Sequence, residues 1–203
     1  SDDFLKYGKI LHDNLPNYPE NKIVPLKKEK NKKIKIGFLS ADLSGFHPVT
    51  YFLKSILSNY DSNQMEIFLY LNHTQTKEDS STNDLMKLVN KSCEILNLSD
   101  VEAINLIRND KIDIIVDLMG VTSKNRLSLI KNRVAPVQIL WCGYCNTTGI
   151  KGMDYIIADP NLVLENEEKN YSEKIIYLPK IWNSHSGINV KRVYSQSPLV
   201  KNK

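Results

Sequence analysis

The feature that most constrains the fold is a regular alternation of short apolar segments with amphipathic segments through the middle of the chain. In the clearest case, residues 113–118 read DIIVDL, with three β-branched residues in succession. Strands that are apolar on both faces are typical of parallel sheets covered by helices on either side. Such segments recur about every 20–25 residues, with helical patterns between them. The alternation therefore predicts an α/β fold built from βαβ units, with a doubly wound, mostly parallel sheet.

Periodicity and turn residues predict seven strands and five helices. The strands are predicted at residues 34–40, 65–71, 93–98, 113–118, 136–142, 154–158 and 173–178. The helices are predicted at residues 3–13, from 48 to about 60, after positions 81 and 99, and near 125–131. Ser81 with Asp84, and Ser99 with Glu102, have the spacing of capping boxes.

Three of the helices have recognisable apolar residues on one face. In the first helix it consists of Phe4, Tyr7, Ile10 and Leu11. In the helix after position 99 it consists of Val101, Ile104 and Ile107, and the helix after position 81 carries Leu85, Leu88 and Val89. We expect these faces to pack against the rest of the chain.

Three parts are predicted along the chain. Residues 1–33 hold the first helix and a linker, because three prolines and a lysine-rich run at 27–33 interrupt any regular pattern. Residues 34–183 carry the alternation of strands and helices and form one lobe. Residues 184–203 are polar and form an irregular tail.

Charge, hydropathy and cysteine content argue against several functional classes. The net charge is +4, but the run at 27–33 holds five lysines without an aromatic residue for base stacking, which predicts a solvated linker and no nucleic-acid partner. The sequence contains no run of 18 apolar residues, so no membrane span is predicted, and the acidic start lacks the pattern of a signal peptide. With three cysteines and no paired metal-binding spacing, we expect a cytoplasmic protein.

The loops after the strands form the predicted ligand-binding region, because ligands of doubly wound sheets bind beyond the carboxyl ends of the strands. These loops are residues 41–47, 119–124 and 143–152. In the first loop Asp42 follows a strand and His47 precedes a helix. A histidine at this place can be a hydrogen-bond partner or a proton acceptor near neutral pH. The alternative is that His47 only caps its helix and Asp42 only stabilises the turn.

Residues 143–149, GYCNTTG, have the composition of a sugar-binding loop. Two glycines and three small polar side chains suit the close approach of a polar ligand such as a sugar. The alternative is a tight turn without a ligand. Cys142 and Cys145 form a CxxC sequence, but it follows a strand instead of opening a helix, so redox chemistry is not predicted.

Other signatures of known chemistry are missing from the sequence. There is no GxGxxG, Walker A or HExxH sequence and no cluster of metal-binding residues, so neither a dinucleotide cofactor nor a metal is predicted. His12, His73 and His185 stand apart in polar surroundings and are predicted to lie at the surface.

Read together, the loops resemble one family. In order, the motifs are Ser-x-Asp from position 40 with His-Pro-Val from 47, Ile-Asp-Ile-Ile-Val-Asp-Leu-x-Gly-x-Thr from 112, Ala-Pro-Val-Gln-x-x-Trp-x-Gly-Tyr from 135, Met-Asp-Tyr from 153 and Tyr-Ser-Glu-Lys from 171. They span residues 34–179 and resemble the N-terminal catalytic lobe of the O-linked N-acetylglucosamine transferases, including SPINDLY-like members.

The resemblance implies a GT-B glycosyltransferase, in which two Rossmann-like lobes face a cleft. Such enzymes transfer a sugar from a nucleotide donor, UDP-GlcNAc or GDP-fucose, to Ser or Thr hydroxyls of acceptor proteins, and they need no metal. Tetratricopeptide repeats usually precede the lobe, so residues 1–33 would be the joining segment. The second lobe, with the uridine site and a lysine that opposes the diphosphate, would be a required partner.

The resemblance also implies roles for individual residues. His47 and Asp42 match an active-site histidine and an acidic residue that are candidates for the catalytic base, and Gly143 matches a glycine that contacts the sugar. The further substrate-binding positions are Cys142, Cys145, Thr122, Asn125 and Arg126. Three positions depart from the family: Cys145 replaces a proline, Cys142 a leucine, and Val121 a histidine that is common in bacterial members.

Two functions are compatible with these observations. The first is a catalytic lobe of a longer transferase, which is inactive without its second lobe. The second is a degenerate, non-catalytic lobe that binds proteins, which the departures at Cys145 and Val121 suggest. The five motifs in the family's order favour the first.

Overall fold

The computed structural model describes residues 2–18, 32–45, 47–73, 80–185 and 187. Within them, seven strands form one parallel sheet: β1 (Ile34–Ser40), β2 (Met65–Leu71), β3 (Lys91–Glu94), β4 (Ile114–Asp117), β5 (Val137–Leu140), β6 (Tyr155–Ala158) and β7 (Lys174–Tyr177). The helices are α1 (Asp2–Asn14), α2 (Pro48–Leu57), α3 (Ser80–Met86), α4 (Asp100–Asn109) and α5 (Leu127–Lys131), with a 3-10 helix at Glu165–Asn170. The predicted α/β fold with a Rossmann-like, doubly wound sheet is confirmed.

The strand order determines where a ligand can bind. In space the order is β3-β2-β1-β4-β5-β6-β7, with all neighbours parallel. The chain runs outward from β1 to β3 and then returns past β1 to β4, where Phe38 pairs with Val116. This reversal places the topological switch point of the sheet between β1 and β4.

Successive residues of the central strands contribute to two separate cores, because helices cover both faces of the sheet. One core contains Phe38, Leu69 and Val116 of the strands with Leu53 of α2 and Leu85 of α3. The other contains Leu39, Tyr70 and Ile115 of the strands with Ile107 of α4 and Leu129 of α5. Apolar side chains buried on both faces explain why the strands read as continuous apolar runs.

Most of the predicted boundaries agree with the structure. The strands predicted at 34–40 and 65–71 coincide with β1 and β2, and β4 to β7 are shorter than predicted by one or two residues at an end. The capping box of Ser99 and Glu102 at the start of α4 is confirmed. Pro48 is the first residue of α2, as predicted, although α2 ends at Leu57 and not near residue 60.

Three local predictions are wrong. The third strand lies at Lys91–Glu94 and not at 93–98, because the backbone and side chain of Asn90 bond to Ile67 and start the pairing with β2 earlier. Ser81 is the second residue of α3, so the helix begins before the position predicted for its cap. Val101 is 43% exposed, because α4 packs through Ala103, Ile104 and Ile107.

Of the apolar face predicted for α1, only Leu11 faces the core, and the helix docks through Gly8 instead of the other three residues. Phe4, Tyr7 and Ile10 are exposed, whereas Gly8 is buried and Leu11 packs against the core. A Cβ atom on Gly8 would overlap the carbonyl oxygen of Thr148, so only a glycine allows the helix backbone this close to residues 148–149. At the other end of α1, Nζ of Lys131 donates to the carbonyl oxygens of His12 at 2.8 Å and Leu15 at 2.7 Å.

Other predictions fall partly outside the described residues. The predictions for most of the lysine-rich run and for the tail beyond residue 187 concern residues that are not described. Among the residues that are described, no helix is long and apolar enough to cross a membrane.

Candidate functional site

The loops after β1, β4 and β5 meet at the carboxyl edge of the sheet, at the switch point. The backbone N–H of Ala41 donates to Sδ of Met119 at 3.1 Å, which joins the first two loops. The carbonyl of Leu118 lies so close to Gly143 that a Cβ atom there would overlap it, which joins the loops after β4 and β5. The structure therefore assembles the three predicted loops where ligands of this fold class bind.

Asp117, the last residue of β4, has a buried carboxylate at the base of this region. Only 1% of the residue is exposed, and its oxygens accept hydrogen bonds from the backbone N–H groups of Gly120 at 2.8 Å and Met119 at 3.3 Å. Burial raises the pKa of Asp117 to about 7, against the opposing effect of these hydrogen bonds, and the charge of Asp42 adds to the increase. Asp117 thus holds the turn after β4 and can change its charge near neutral pH.

Asp42 follows β1 at this edge of the sheet. It is half-buried, and its backbone carbonyl accepts a hydrogen bond from Oγ1 of Thr50 at 3.2 Å, which ties the loop to α2. Burial raises the pKa of the Cys142 thiol, and the charge of Asp42 raises it further. Because Asp42 acts electrostatically on both Cys142 and Asp117, the carboxyl ends of β1, β4 and β5 form one electrostatic unit.

His47 is exposed and caps α2. Its Nδ1 accepts a hydrogen bond from the backbone N–H of Val49 at 3.4 Å. A neutral imidazole that accepts at Nδ1 carries its proton on Nε2. The cap therefore leaves Nε2 of His47 as a hydrogen-bond donor. This geometry agrees with the capping alternative.

The turn at Cys142 is strained. The backbone N–H of Gly143 donates to the carbonyl of Trp141 at 2.9 Å, across a Cys142 residue with φ of +60°. A left-handed conformation costs a non-glycine residue roughly 1–2 kcal/mol. Strain of this kind concentrates at ligand-binding and active sites. The buried Cys142 and the half-buried Gly143 thus form a strained turn directly after β5, next to the switch point.

The tip of the loop after β5 is more accessible. Cys145 is exposed, and its carbonyl accepts a long hydrogen bond of 3.4 Å from the hydroxyl of Tyr171. Behind the tip, Thr147 and Thr148 are buried and bond to Glu173.

Thr122, Asn125 and Arg126 shape the loop after β4. The hydroxyl of Thr122 donates to the carbonyl of Met119 at 2.8 Å, and the amide of Asn125 donates to the carbonyl of Thr122 at 2.8 Å. The guanidinium of Arg126 bonds to Asn72, Ile95, Leu98 and Asp100, and its side chain is 12% exposed. These contacts direct the guanidinium of Arg126 into the protein and give all three residues a structural part in the loop.

The prediction for the isolated histidines is wrong for His73, which is 6% exposed after β2. His185 is exposed, but its ring stacks on Tyr51 of α2 with 5.0 Å between ring centroids. The described part of the chain contains no group of three or more His, Cys, Asp or Glu residues that could hold a metal ion.

Two residues of the region escaped the sequence-based prediction. Asp117 falls within a predicted strand and has no predicted role, although a carboxylate directly after an apolar run is a signal for a functional group at the end of a strand. Glu173 lies in the Tyr-Ser-Glu-Lys motif, which was recognised without a role for the glutamate.

Comparison with known proteins gives consistent matches. The sequence profile described as Glycosyl transferase family 41 matches residues 5–189. The chain is 32% identical over 166 residues to the probable UDP-N-acetylglucosamine–peptide N-acetylglucosaminyltransferase SPINDLY of Solanum lycopersicum, covering 80% of this chain and 18% of that protein. It is 29% identical over 179 residues to the UDP-N-acetylglucosamine–peptide N-acetylglucosaminyltransferase of Caenorhabditis elegans, covering 86% of this chain and 15% of that protein.

A solved structure is similar as well. It is the K341M mutant of the Thermobaculum terrenum O-GlcNAc transferase, with a TM-score of 0.78 and 30% identity. The alignment covers 89% of this chain and 34% of the transferase. The chain thus spans about a sixth of the length of these curated relatives and a third of the solved transferase.

Proposed function

We propose, from the premise that this chain belongs to glycosyl transferase family 41, that it forms the N-terminal catalytic lobe of a two-lobed protein O-glycosyltransferase. The observation that carries the proposal is the convergence of Asp42, Cys142 and Gly143 at the switch point, next to the helix cap at His47. The profile match includes all four residues. The second lobe of the GT-B architecture would supply the other wall of the cleft.

The proposed donor is UDP-GlcNAc and the proposed acceptors are Ser or Thr hydroxyls of proteins. The names of the similar tomato and nematode proteins specify a UDP-N-acetylglucosamine donor and a peptide acceptor. GDP-fucose is the alternative donor that the SPINDLY-like resemblance implies. We place the sugar against the turn at Cys142 and Gly143 and the exposed Cys145, where backbone groups and small side chains permit close approach.

In the proposed reaction the acceptor hydroxyl oxygen bonds to the anomeric carbon of the sugar while the bond from that carbon to the diphosphate oxygen breaks. The nucleoside diphosphate leaves with the bonding electron pair, and the hydroxyl proton passes to a base. We assign the base to Asp42, whose charge acts on both Asp117 and Cys142 at this edge of the sheet. His47, with Nδ1 committed to the cap, would donate a hydrogen bond from Nε2 to the donor or the acceptor.

The 203-residue chain alone is expected to show no measurable sugar transfer. Stabilisation of the leaving diphosphate would come from the second lobe, and loss of a single stabilising donor already costs roughly 100- to 1000-fold in rate. The measurement is incorporation of labelled GlcNAc from UDP-GlcNAc into a peptide library. Transfer should appear when this lobe replaces the matching third of the Thermobaculum terrenum enzyme. Robust transfer by the isolated chain would contradict the expectation.

Substitutions at His47 separate a cap from a ligand contact. Asparagine caps a helix well, so His47→Asn should leave the unfolding free energy nearly unchanged, whereas His47→Ala should lower it by about 1 kcal/mol. If Nε2 also serves the reaction, both variants of the chimeric enzyme should lose roughly tenfold or more in kcat/KM. Activity retained by His47→Asn and reduced only in the less stable His47→Ala would leave His47 with the cap alone.

The degenerate-lobe alternative makes a different prediction for the same chimera. A lobe that only binds proteins would leave the chimera inactive although His47, Asp42 and Gly143 are in place. The decisive experiment would then be to introduce Cys145→Pro and Val121→His into the chimera. Activity that returns only with these residues would show that the departures at Cys145 and Val121 abolish catalysis.

A further inference from the structure

Glu173 is a buried carboxylate that the proposed reaction does not use. It lies just before β7 and is 4% exposed. Its Oε2 accepts a hydrogen bond from the hydroxyl of Thr147 at 2.7 Å, and its Oε1 accepts from the backbone N–H of Thr148 at 2.8 Å and from the Thr148 hydroxyl. All three donors belong to the loop after β5, residues 143–149, which we call the sugar loop.

The hydroxyl of Thr147 has to act as a hydrogen-bond donor toward its remaining partners. Its oxygen already accepts hydrogen bonds from the backbone N–H groups of Ser172 at 3.1 Å and Gly149 at 3.2 Å. A hydroxyl oxygen has two acceptor positions and one proton to donate. The hydroxyl must therefore donate its proton, and two oxygens are within reach: Oε2 of Glu173 at 2.7 Å and Oγ of Ser172 at 3.1 Å. The carboxylate oxygen is the closer and the stronger acceptor, so the proton goes to Glu173.

The second threonine follows the same pattern. The hydroxyl of Thr148 accepts from the backbone N–H of Ile150 at 3.2 Å and donates to Glu173. The backbone N–H of Thr148 also needs an acceptor in this buried place. The network thus requires acceptors on both oxygens of residue 173, which a carboxylate provides and a glutamine amide does not.

The network lies directly behind the strained part of the sugar loop. Cys142 directly precedes the loop, Gly143 begins it, and the Thr147–Thr148 pair anchors its far end to Glu173, next to β7. Gly8 of α1 lies against the backbone of Thr148 and Gly149. Without Glu173, the far end of the loop would lose these three hydrogen bonds and keep only weaker contacts, such as the long bond from Tyr171 to the carbonyl of Cys145.

We propose that Glu173 is the positioning residue of the sugar loop, and that its carboxylate fixes the loop shape on which the proposed sugar contacts depend. This inference rests on the proposed function for the identity of the ligand. The geometric part, that Glu173 holds the loop, can be tested without any ligand, because the three cysteines report on different places in the chain.

The test compares the thiol alkylation rates of Cys142, Cys145 and Cys93 in the 203-residue chain by mass spectrometry. Cys142 is buried and directly precedes the sugar loop, Cys145 is exposed at the tip of the loop, and Cys93 is half-buried in β3, at the opposite edge of the sheet from β7. In Glu173→Gln we expect alkylation of Cys142 to accelerate about tenfold or more relative to Cys93, because a buried charge-assisted hydrogen bond is lost locally.

Glu102→Gln is the matched control. Glu102 also accepts from a backbone N–H and a hydroxyl, those of Ser99, but at the exposed start of α4. It should leave the Cys142-to-Cys93 ratio unchanged. Should Glu173→Gln fold poorly, Thr147→Val, which removes the bridging hydroxyl, should give the same selective increase. Equal acceleration of Cys93 and Cys142, or no acceleration, would overturn the proposal.

The consequence for the ligand is read separately in the chimeric transferase. There Glu173→Gln should lower kcat/KM for the nucleotide sugar about tenfold, while affinity for the nucleoside diphosphate, which lacks the sugar, stays unchanged. A loosened loop with unchanged kinetics would overturn the link to the sugar. If the unsubstituted chimera binds no nucleotide sugar, the proposed function fails, and the alkylation rates still decide whether Glu173 holds the loop.

Discussion

Gly143→Ala is expected to lower the free energy of unfolding by about 3 kcal/mol, the upper part of the range for single substitutions. The new Cβ atom would overlap the carbonyl oxygen of Leu118, and neither atom can turn aside, because the carbonyl belongs to the backbone and the position of Cβ is fixed by the backbone at residue 143. The loops after β4 and β5 would have to move apart at the switch point. Denaturant unfolding followed by circular dichroism measures the loss.

Gly45→Ala is the control for this substitution. Gly45 also lies in a loop at this edge of the sheet and has φ of +55°, but a Cβ atom there meets nothing within 4 Å. Its cost should be limited to the left-handed backbone, about 1 kcal/mol. If Gly143→Ala costs no more than Gly45→Ala, the two loops are not in the close contact that we describe.

Asp117→Asn should remove a dependence of stability on pH that amounts to about 4 kcal/mol. In the unfolded chain an aspartate loses its proton near pH 3.8, whereas Asp117 in the folded protein keeps it up to about pH 7. Between these values the folded state binds more protons than the unfolded state, so the unfolding free energy falls as pH rises. A pKa increase of this size corresponds to about 4 kcal/mol, fully present below pH 3.8 and lost above pH 7.

The measurement is the difference in unfolding free energy between Asp117→Asn and the unsubstituted chain at several pH values. The difference should shift in favour of the variant as pH rises from about 4 to 8. Asp84→Asn is the control. The pKa of Asp84 is lowered below 3.8, first by the hydrogen bond from Lys87 and then by the charge of Lys87, so Asp84 does not titrate in this pH window. A difference that stays flat for Asp117→Asn would show that its carboxylate is not isolated from solvent.

The sequence predicts best where the local pattern and the tertiary environment agree. In β1 and β2 every residue is apolar or lies on a covered face, so the run of apolar residues and the strand have the same bounds. The capping box at Ser99 is local, since its two hydrogen bonds join residues three positions apart. The loops that form the site were predictable as well, because the parallel order of strands alone places them on one edge.

Prediction fails where a distant contact decides the outcome. In α1 the spacing of Phe4, Tyr7 and Ile10 describes an apolar face, but the helix docks through Gly8, since only a residue without a side chain fits against Thr148. The signal was a glycine in the middle of a helix, where it is otherwise unfavourable. Glu173 could not be linked to Thr147 and Thr148 for a similar reason: its partners lie about 25 residues earlier in the chain.

The contact of Gly8 with Thr148 and Gly149 makes α1 and the sugar loop thermodynamically linked. If docking of α1 changes the affinity of the loop for a ligand by some factor, binding of that ligand must change the docking equilibrium of α1 by the same factor. The exposed stripe of Phe4, Tyr7 and Ile10 is on this same helix. Any partner whose affinity for that stripe depends on whether α1 is docked therefore acts on the sugar loop as an effector.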